Sequence, residues 1–186
     1  MSASCDDPPI PAGLRDVLQN SRVSLSLADF TQHDCPLIAV NERFCDLSGY
    51  RQDEVLGRNC RFLQPSGGAG PVRERMRTFL HDASQTHGRF LIPNIRRNGK
   101  LFLNLVYMSK LYRQGAVAMV LGSQFSVTGN SQHDTELYDA ALLEDLRILK
   151  DVLSESAMLL AGSYESLASS HSIVAQAKLD GVDGED

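Results

Sequence analysis

Val23, Leu25 and Leu27 alternate with polar residues along Val23 to Ala28, the two-residue period of a half-buried strand. Leu37-Ile38-Ala39-Val40 is a second short apolar run and a second strand. Ahead of both, Leu14, Val17 and Leu18 recur at helical spacing within Pro11 to Asn20, predicting a short amphipathic helix. Asn41 leads into a short helix over Glu42 to Leu47, with Gly49 as its stop. Gln52 to Leu56 is another helical turn, closed by Gly57, and a third helical piece follows. Gly67-Gly68-Ala69-Gly70-Pro71 is a loop without the Gly-Lys-Ser/Thr ending of a phosphate-cradling loop. Val72, Met76, Phe79 and Leu80 then mark a longer helix over Val72 to His81, with arginines on its other face.

Three strand-like runs come next: Arg89 to Arg97, Lys100 to Leu111, and Val117 to Val127. Asn98-Gly99 between the first two is a strong tight-hairpin signal, and Gln114-Gly115 makes the second turn. Two strands, several short helices, one longer helix and a three-strand meander predict an α+β domain over residues 22–128. Its expected form is a five-stranded antiparallel sheet with helices on one side. Residues 1–21 then form an N-terminal helical cap.

After a polar hinge at Thr128 to Gln132, His133 to Leu160 looks helical. Leu142, Leu146, Leu149, Leu153 and Leu160 recur at spacings of four, three, four and seven, a heptad seam. Such a seam forms a helical dimer or packs on the sheet. Ala161-Gly162-Ser163 breaks it. Tyr164, Leu167, His171, Val174 and Lys178 mark a weaker second helix, so residues 129–179 read as a helical extension. Residues 180–186 read as a disordered acidic tail.

Composition narrows the function classes. Of the 186 residues, 42% are hydrophobic and 22% charged, normal for a soluble globular protein with a real core. No window approaches the roughly 20 apolar residues that span a bilayer. The first eleven residues do not read as a secretory signal, and a cytoplasmic protein is the expectation. After position 132 there are 12 acidic and 3 basic residues, against 15 basic and 11 acidic before it. The net charge of -5 thus divides into +4 and -9. The acidic tail and the scattered arginines argue against nucleic-acid binding. An anionic ligand held by a few arginines is more economical.

Cys5, Cys35, Cys45 and Cys60 show no C-x-x-C pair and no histidines that complete a zinc pattern, so no metal is expected. Free thiols in a reducing compartment fit best, with Cys5, Cys35 and Cys45 as inert small residues. Cys60 differs by its neighbours. It sits in Gly57 to Gln64, Gly-Arg-Asn-Cys-Arg-Phe-Leu-Gln, between two arginines and two carboxamides. From these residues alone it is as much a nucleophile as a packed thiol. Asn94 and Asn104 lie across the Asn98-Gly99 turn at an even offset, which points both to one sheet face. Their carboxamides offer donors and acceptors together.

The octapeptide resembles, residue for residue, the signature of LOV domains, flavin-binding blue-light sensors of the PAS superfamily. The element order is similar to a PAS fold, and the resemblance covers about 105 of the 186 residues. It implies that Cys60 adds reversibly to carbon 4a of a bound flavin after blue light. Asn94 and Asn104 would meet the pyrimidine edge of the ring. Gln124 would lie beside ring nitrogen 5 and relay the change, because a carboxamide meets both protonation states of that atom only by rotating or rearranging. Asn59 and Gln64 would contact the ribityl chain, and Arg61 and Arg77 the terminal phosphate. Arg73 and Arg75 read as solvated. Arg77 follows Gln64 by thirteen residues without an insertion, which favours FMN over FAD; riboflavin is also disfavoured. Glu54 and Arg97 match a surface ion pair of the family, while Asp29-Phe30-Thr31 and Asp34-Cys35-Pro36 depart from its usual residues.

The resemblance implies a short photoreceptor that is not an enzyme and has no fused effector. About 58 residues follow Thr128, too few for a kinase domain. Output would come from the flanking helices, in a homodimer joined through the N- and C-terminal helices, and an unidentified protein partner is allowed. The alternatives are a non-photochemical flavin-binding redox sensor and a cofactor-free PAS interaction module.

Overall fold

A computed structural model of the protein describes residues 10–156, 158–160 and 173–175. The elements run α1 (Ala12–Asn20), β1 (Ser24–Asp29), β2 (Leu37–Val40), α2 (Glu42–Ser48) and α3 (Gln52–Val55). A 3₁₀ turn at Cys60–Leu63 precedes α4 (Val72–His81). Then come β3 (His87–Ile95), β4 (Leu101–Arg113), β5 (Ala116–Ser126), α5 (Gln132–Ser154) and β6 (Met158–Leu160). The main sheet has the order β2-β1-β5-β4-β3, every pair antiparallel, and β6 adds to the end of β4. The α+β class and a main sheet of five antiparallel strands are as the sequence predicts. The sixth strand is an addition.

Turn chemistry sets the meander. Gly99 has φ 85° at the first hairpin, where the Asn98 side chain accepts from Lys100 N at 3.0 Å. At the second hairpin both Gln114 (φ 51°) and Gly115 (φ 80°) are left-handed, as a tight two-residue loop requires. Asn41 starts α2 as its cap. Its Oδ1 accepts from Phe44 N at 3.0 Å and from Leu25 N at 2.9 Å, while its Nδ2 donates to Val23 O at 2.8 Å. One side chain thus joins the helix start to β1.

The sheet is covered on both faces. On one, Leu14, Val17 and Leu18 of α1 and Leu142, Leu146, Leu149 and Leu153 of α5 pack with Leu25, Leu27, Leu105, Tyr107, Met119 and Leu121. The helices come so close that a Cβ on Gly13 would lie 2.6 Å from Val152 Cβ. The other face carries α2, α3, the 3₁₀ turn and α4, around two smaller cores. The leucine seam of α5 is therefore filled within one chain, by the sheet and α1.

Two expectations change. β1 is not half-buried: Ser24 and Ser26 are buried like Leu25 and Leu27, because their face turns to the second helical layer rather than to water. The long helix does not reach Leu160. It ends at Ser154, and Met158 to Leu160 pairs with Leu111 to Arg113. Met158 and Leu160 are buried and Leu159 is exposed, so the period there is two rather than three and a half. Of the two arrangements open to the leucine seam, packing on the sheet is the one observed, with α1 and α5 on the face opposite the other helices. The second helix expected over Tyr164 to Lys178 lies outside the described residues apart from 173–175, which are helical. The expected tail, residues 180–186, and Cys5 lie outside them altogether. Among the described residues no helix is long and apolar enough to cross a membrane.

Candidate functional site

The 3₁₀ turn carries Cys60 as its first residue. Asn59 caps the turn, its Oδ1 accepting from Arg61 N at 3.0 Å and its Nδ2 donating to Asp34 O at 2.6 Å. Phe62 leaves on the outer side. It meets Tyr50 edge-on at 5.1 Å, and the Arg58 guanidinium lies over its ring at 4.3 Å. Leu63 is buried. Phe62 and Leu63 therefore anchor the turn, and Cys60 is left facing the space between turn and sheet.

That space is a cavity of about 780 Å³, a figure that includes its open mouth. Cys60, Asn59, Arg61 and Gln64 line it from the turn. Asn94, Asn104 and Gln124 line it from the sheet. Between them lie apolar side chains, among them Leu63, Met76, Ile92, Val106 and Val120. Seven of the eight residues singled out from sequence thus meet in one cavity. The eighth, Arg77, stands at its mouth with Arg61, Asn59 and Gln64.

The sheet side is built by strand alternation. Asn104 pairs with Ile92 and Asn94 with Phe102, so the two asparagines are diagonal neighbours on one face. Both are buried. Asn104 Nδ2 donates to Asn94 Oδ1 at 2.8 Å, Asn94 Nδ2 donates to Pro93 O at 2.8 Å, and Phe125 N donates to Asn104 Oδ1 at 3.2 Å. Gln124 sits opposite Ser24. Its Oε1 accepts from Ser24 Oγ at 2.9 Å, and its Nε2 donates to Ser26 Oγ at 2.8 Å.

Charge concentrates at the mouth. Arg61, Arg73, Arg77 and His81 border it, against Asp34. Asp34 pairs with Arg61, and that hydrogen bond holds its carboxyl below the usual carboxylate range. Arg77 pairs with Glu74 at 3.6 Å. Deeper in, the surroundings are apolar. Burial pushes the Cys60 thiol up to about 12, with a further contribution from Cys35. It pushes Cys35 up to about 11. Cys60 is half-buried and lines the cavity. At neutral pH both groups are thiols. Among the described residues no group of His, Cys, Asp and Glu could hold a metal ion.

Sequence reasoning missed several lining residues. Arg73, read as solvated, borders the mouth, while Arg75 does not. Cys35, read as inert, lines the same cavity as Cys60. Ser26 and Gly122 also line it. Their signal was present in the two-residue period, because Gly122 precedes Gln124 by two and pairs with Ser26. The expected Glu54–Arg97 ion pair forms at 2.6 Å.

Residues 26–128 match the family described as PAS domain. The chain is 35% identical over 115 residues to the blue-light-activated histidine kinase 1 of Erythrobacter litoralis, a match over 61% of this chain and 31% of that protein. It is 31% identical over 121 residues to the blue-light photoreceptor of Listeria monocytogenes, over 64% of this chain and 46% of that one. The chain thus spans less than half the length of these curated relatives. The crystal structure of the Rhodobacter sphaeroides LOV protein superposes with a TM-score of 0.68 at 30% identity, covering 74% of this chain and 79% of the other.

Proposed function

This chain belongs to the PAS domain family, in its LOV branch, and from that premise we propose that it is a blue-light receptor holding a flavin in the cavity between turn and sheet. One observation carries the reading: the thiol of Cys60 and three buried carboxamides, Asn94, Asn104 and Gln124, share one apolar cavity with an arginine-lined mouth. When bound, the flavin supplies the light absorption and the electrophilic ring carbon, chemistry that no side chain here provides.

The protein's share is positioning. Cys60 keeps its proton in the dark because burial disfavours the thiolate, so it brings sulfur and proton together. Asn94 and Asn104 hold the polar ring edge with amides already fixed by backbone groups. Asn59 and Gln64 flank the ribityl chain. Arg61 and Arg77, with Arg73 beside them, suit a terminal phosphate, for which a guanidinium fork is well matched. That favours FMN over riboflavin, and the short stretch between Gln64 and Arg77 favours it over FAD.

Residues 22–128 act as the sensing core, and α1 and α5 carry its output rather than a catalytic turnover. Gln124 is the relay. If two copies associate through these helices, the leucine seam is not the contact, since the sheet and α1 already fill it. Among the described residues, the outer side of α5 exposes Leu137 and Ile148 and offers such a contact. The test is spectroscopic. The purified protein should be yellow, release FMN on denaturation, lose its blue absorption under blue light and regain it in the dark. A colourless protein that takes up no flavin, or a yellow one that does not bleach, refutes the proposal.

A further inference from the structure

The three carboxamides on the sheet wall are held by different kinds of partner. Asn94 Nδ2 donates to Pro93 O, and a carbonyl can only accept. Asn104 Oδ1 accepts from Phe125 N, and a backbone N–H can only donate. Each of these amides is therefore locked in one orientation. Gln124 is held by two hydroxyls, Ser24 Oγ at 2.9 Å and Ser26 Oγ at 2.8 Å. A hydroxyl donates one hydrogen and accepts at two lone pairs.

We propose that Ser24 and Ser26 form a two-way cradle for the Gln124 carboxamide, so that the group facing it from the cavity sets which way it points. In the present orientation Ser24 donates to Oε1, and Ser26 accepts from Nε2 while its own hydrogen reaches Gly122 O at 3.5 Å. Reversal of the amide leaves every polar atom of it paired. Nε2 then donates to Ser24, and Ser26 turns its hydrogen from Gly122 O to Oε1. Only the amide and two hydroxyl hydrogens move. Space for the turn comes from Gly122: a Cβ there would lie 2.7 Å from Ser26 Oγ and 3.0 Å from Gln124 Nε2. All three side chains are buried, so water cannot stand in for a lost hydroxyl without entering the core. Ser24 and Ser26 are positioning residues. They act through Gln124, and the proposal rests on the reading of this cavity as the receptor's chromophore site.

The two hydroxyls have opposite leverage. An unpaired buried N–H is tolerated less well than an unpaired carbonyl oxygen. Ser24→Ala would leave Nε2 unpaired only in the reversed orientation, so it holds Gln124 as it is now. Ser26→Ala would leave Nε2 unpaired in the present orientation, so it favours reversal. Two readings of the protein as purified test this. First, dark recovery after bleaching should be faster in Ser24→Ala and slower in Ser26→Ala, each by roughly tenfold. Shifts in the same direction, as simple loss of packing gives, or no shift, overturn the cradle. Second, in protein kept dark, the ¹⁵N-resolved side-chain amide of Gln124 should move far more in Ser26→Ala, where it reverses, than in Ser24→Ala, where it keeps its orientation and loses one hydrogen bond. An unmoved amide in Ser26→Ala overturns the proposal even if the wild type never bleaches, which would refute the receptor reading separately.

Discussion

The Tyr138 hydroxyl on α5 donates to Ser123 Oγ at 3.0 Å, and Ser123 is the residue before Gln124 on β5. The two neighbours on the strand point to opposite faces, Gln124 to the cavity and Ser123 to the helical layer. On the other side of Gln124, Phe125 stacks on the Tyr138 ring at 4.7 Å with planes 22° apart. The start of α5 is thus fastened to both neighbours of Gln124, the proposed relay. Tyr138→Phe keeps the stack and removes the hydrogen bond, leaving the buried Ser123 hydroxyl without it. Stability should fall by about 1 kcal/mol. The light-induced change in amide hydrogen exchange along α5 should shrink, while bleaching itself is unchanged. An undiminished exchange response excludes this contact as the route.

Burial of the thiols makes stability depend on alkaline pH. Cys60 is pushed up to about 12 and Cys35 up to about 11, from an ordinary 9.0. In the unfolded chain these groups lose their protons near 9, while in the fold they keep them. Their contribution is therefore complete below about pH 8.5 and is lost as pH rises from there toward the folded values, at most about 1.4 kcal/mol per unit for each group. Urea midpoints should fall from pH 8 to pH 10, and less steeply in Cys60→Ala. Equal slopes would contradict the protonated dark thiol.

At the mouth Asp34 pairs with Arg61, so the phosphate of the proposed FMN would compete with it. Arg61→Ala should weaken FMN by roughly ten- to a hundredfold, the worth of a charge-assisted hydrogen bond, and leave riboflavin nearly unaffected. Asp34→Asn should tighten FMN modestly and make its binding more sensitive to salt. Titration of both flavins into flavin-free protein checks the pair. Equal losses for FMN and riboflavin in Arg61→Ala would remove the phosphate assignment.

Leu146 is fully buried in the seam shared by α5, α1 and the sheet. Leu146→Ala should cost about 2–5 kcal/mol. Because that seam is filled within one chain, the loss should be the same at low and high protein concentration. A midpoint that falls only on dilution would mean the seam is an interface between copies.

Much of this was legible in the chain, for identifiable reasons. Periods of two and 3.6, with Asn98-Gly99 and Gln114-Gly115 as turns, specify the meander and α4 locally. The even offset of Asn94 and Asn104 put both on one face. What failed was knowing what a face looks at. Ser24 and Ser26 read as polar positions beside water, because a polar cavity wall and a solvent face have the same two-residue pattern. The leucines of α5 defined a stripe without naming its partner. Leu160 fits both a heptad and a strand of three residues, and only pairing with Leu111 decides between them. Arg73 sits on an exposed helix face, where its approach to the mouth depends on how α4 packs.

The central claim is that the Cys60 thiol, aimed into a flavin-filled cavity, is the group that light engages. Light-minus-dark absorbance of the wild type and Cys60→Ala, under the same blue illumination, tests it most directly. The account predicts that both proteins are yellow, that the wild type loses its blue absorption and recovers in the dark, and that Cys60→Ala shows no such reversible loss through thiol addition. Reversible bleaching of the same form and size in Cys60→Ala would contradict it.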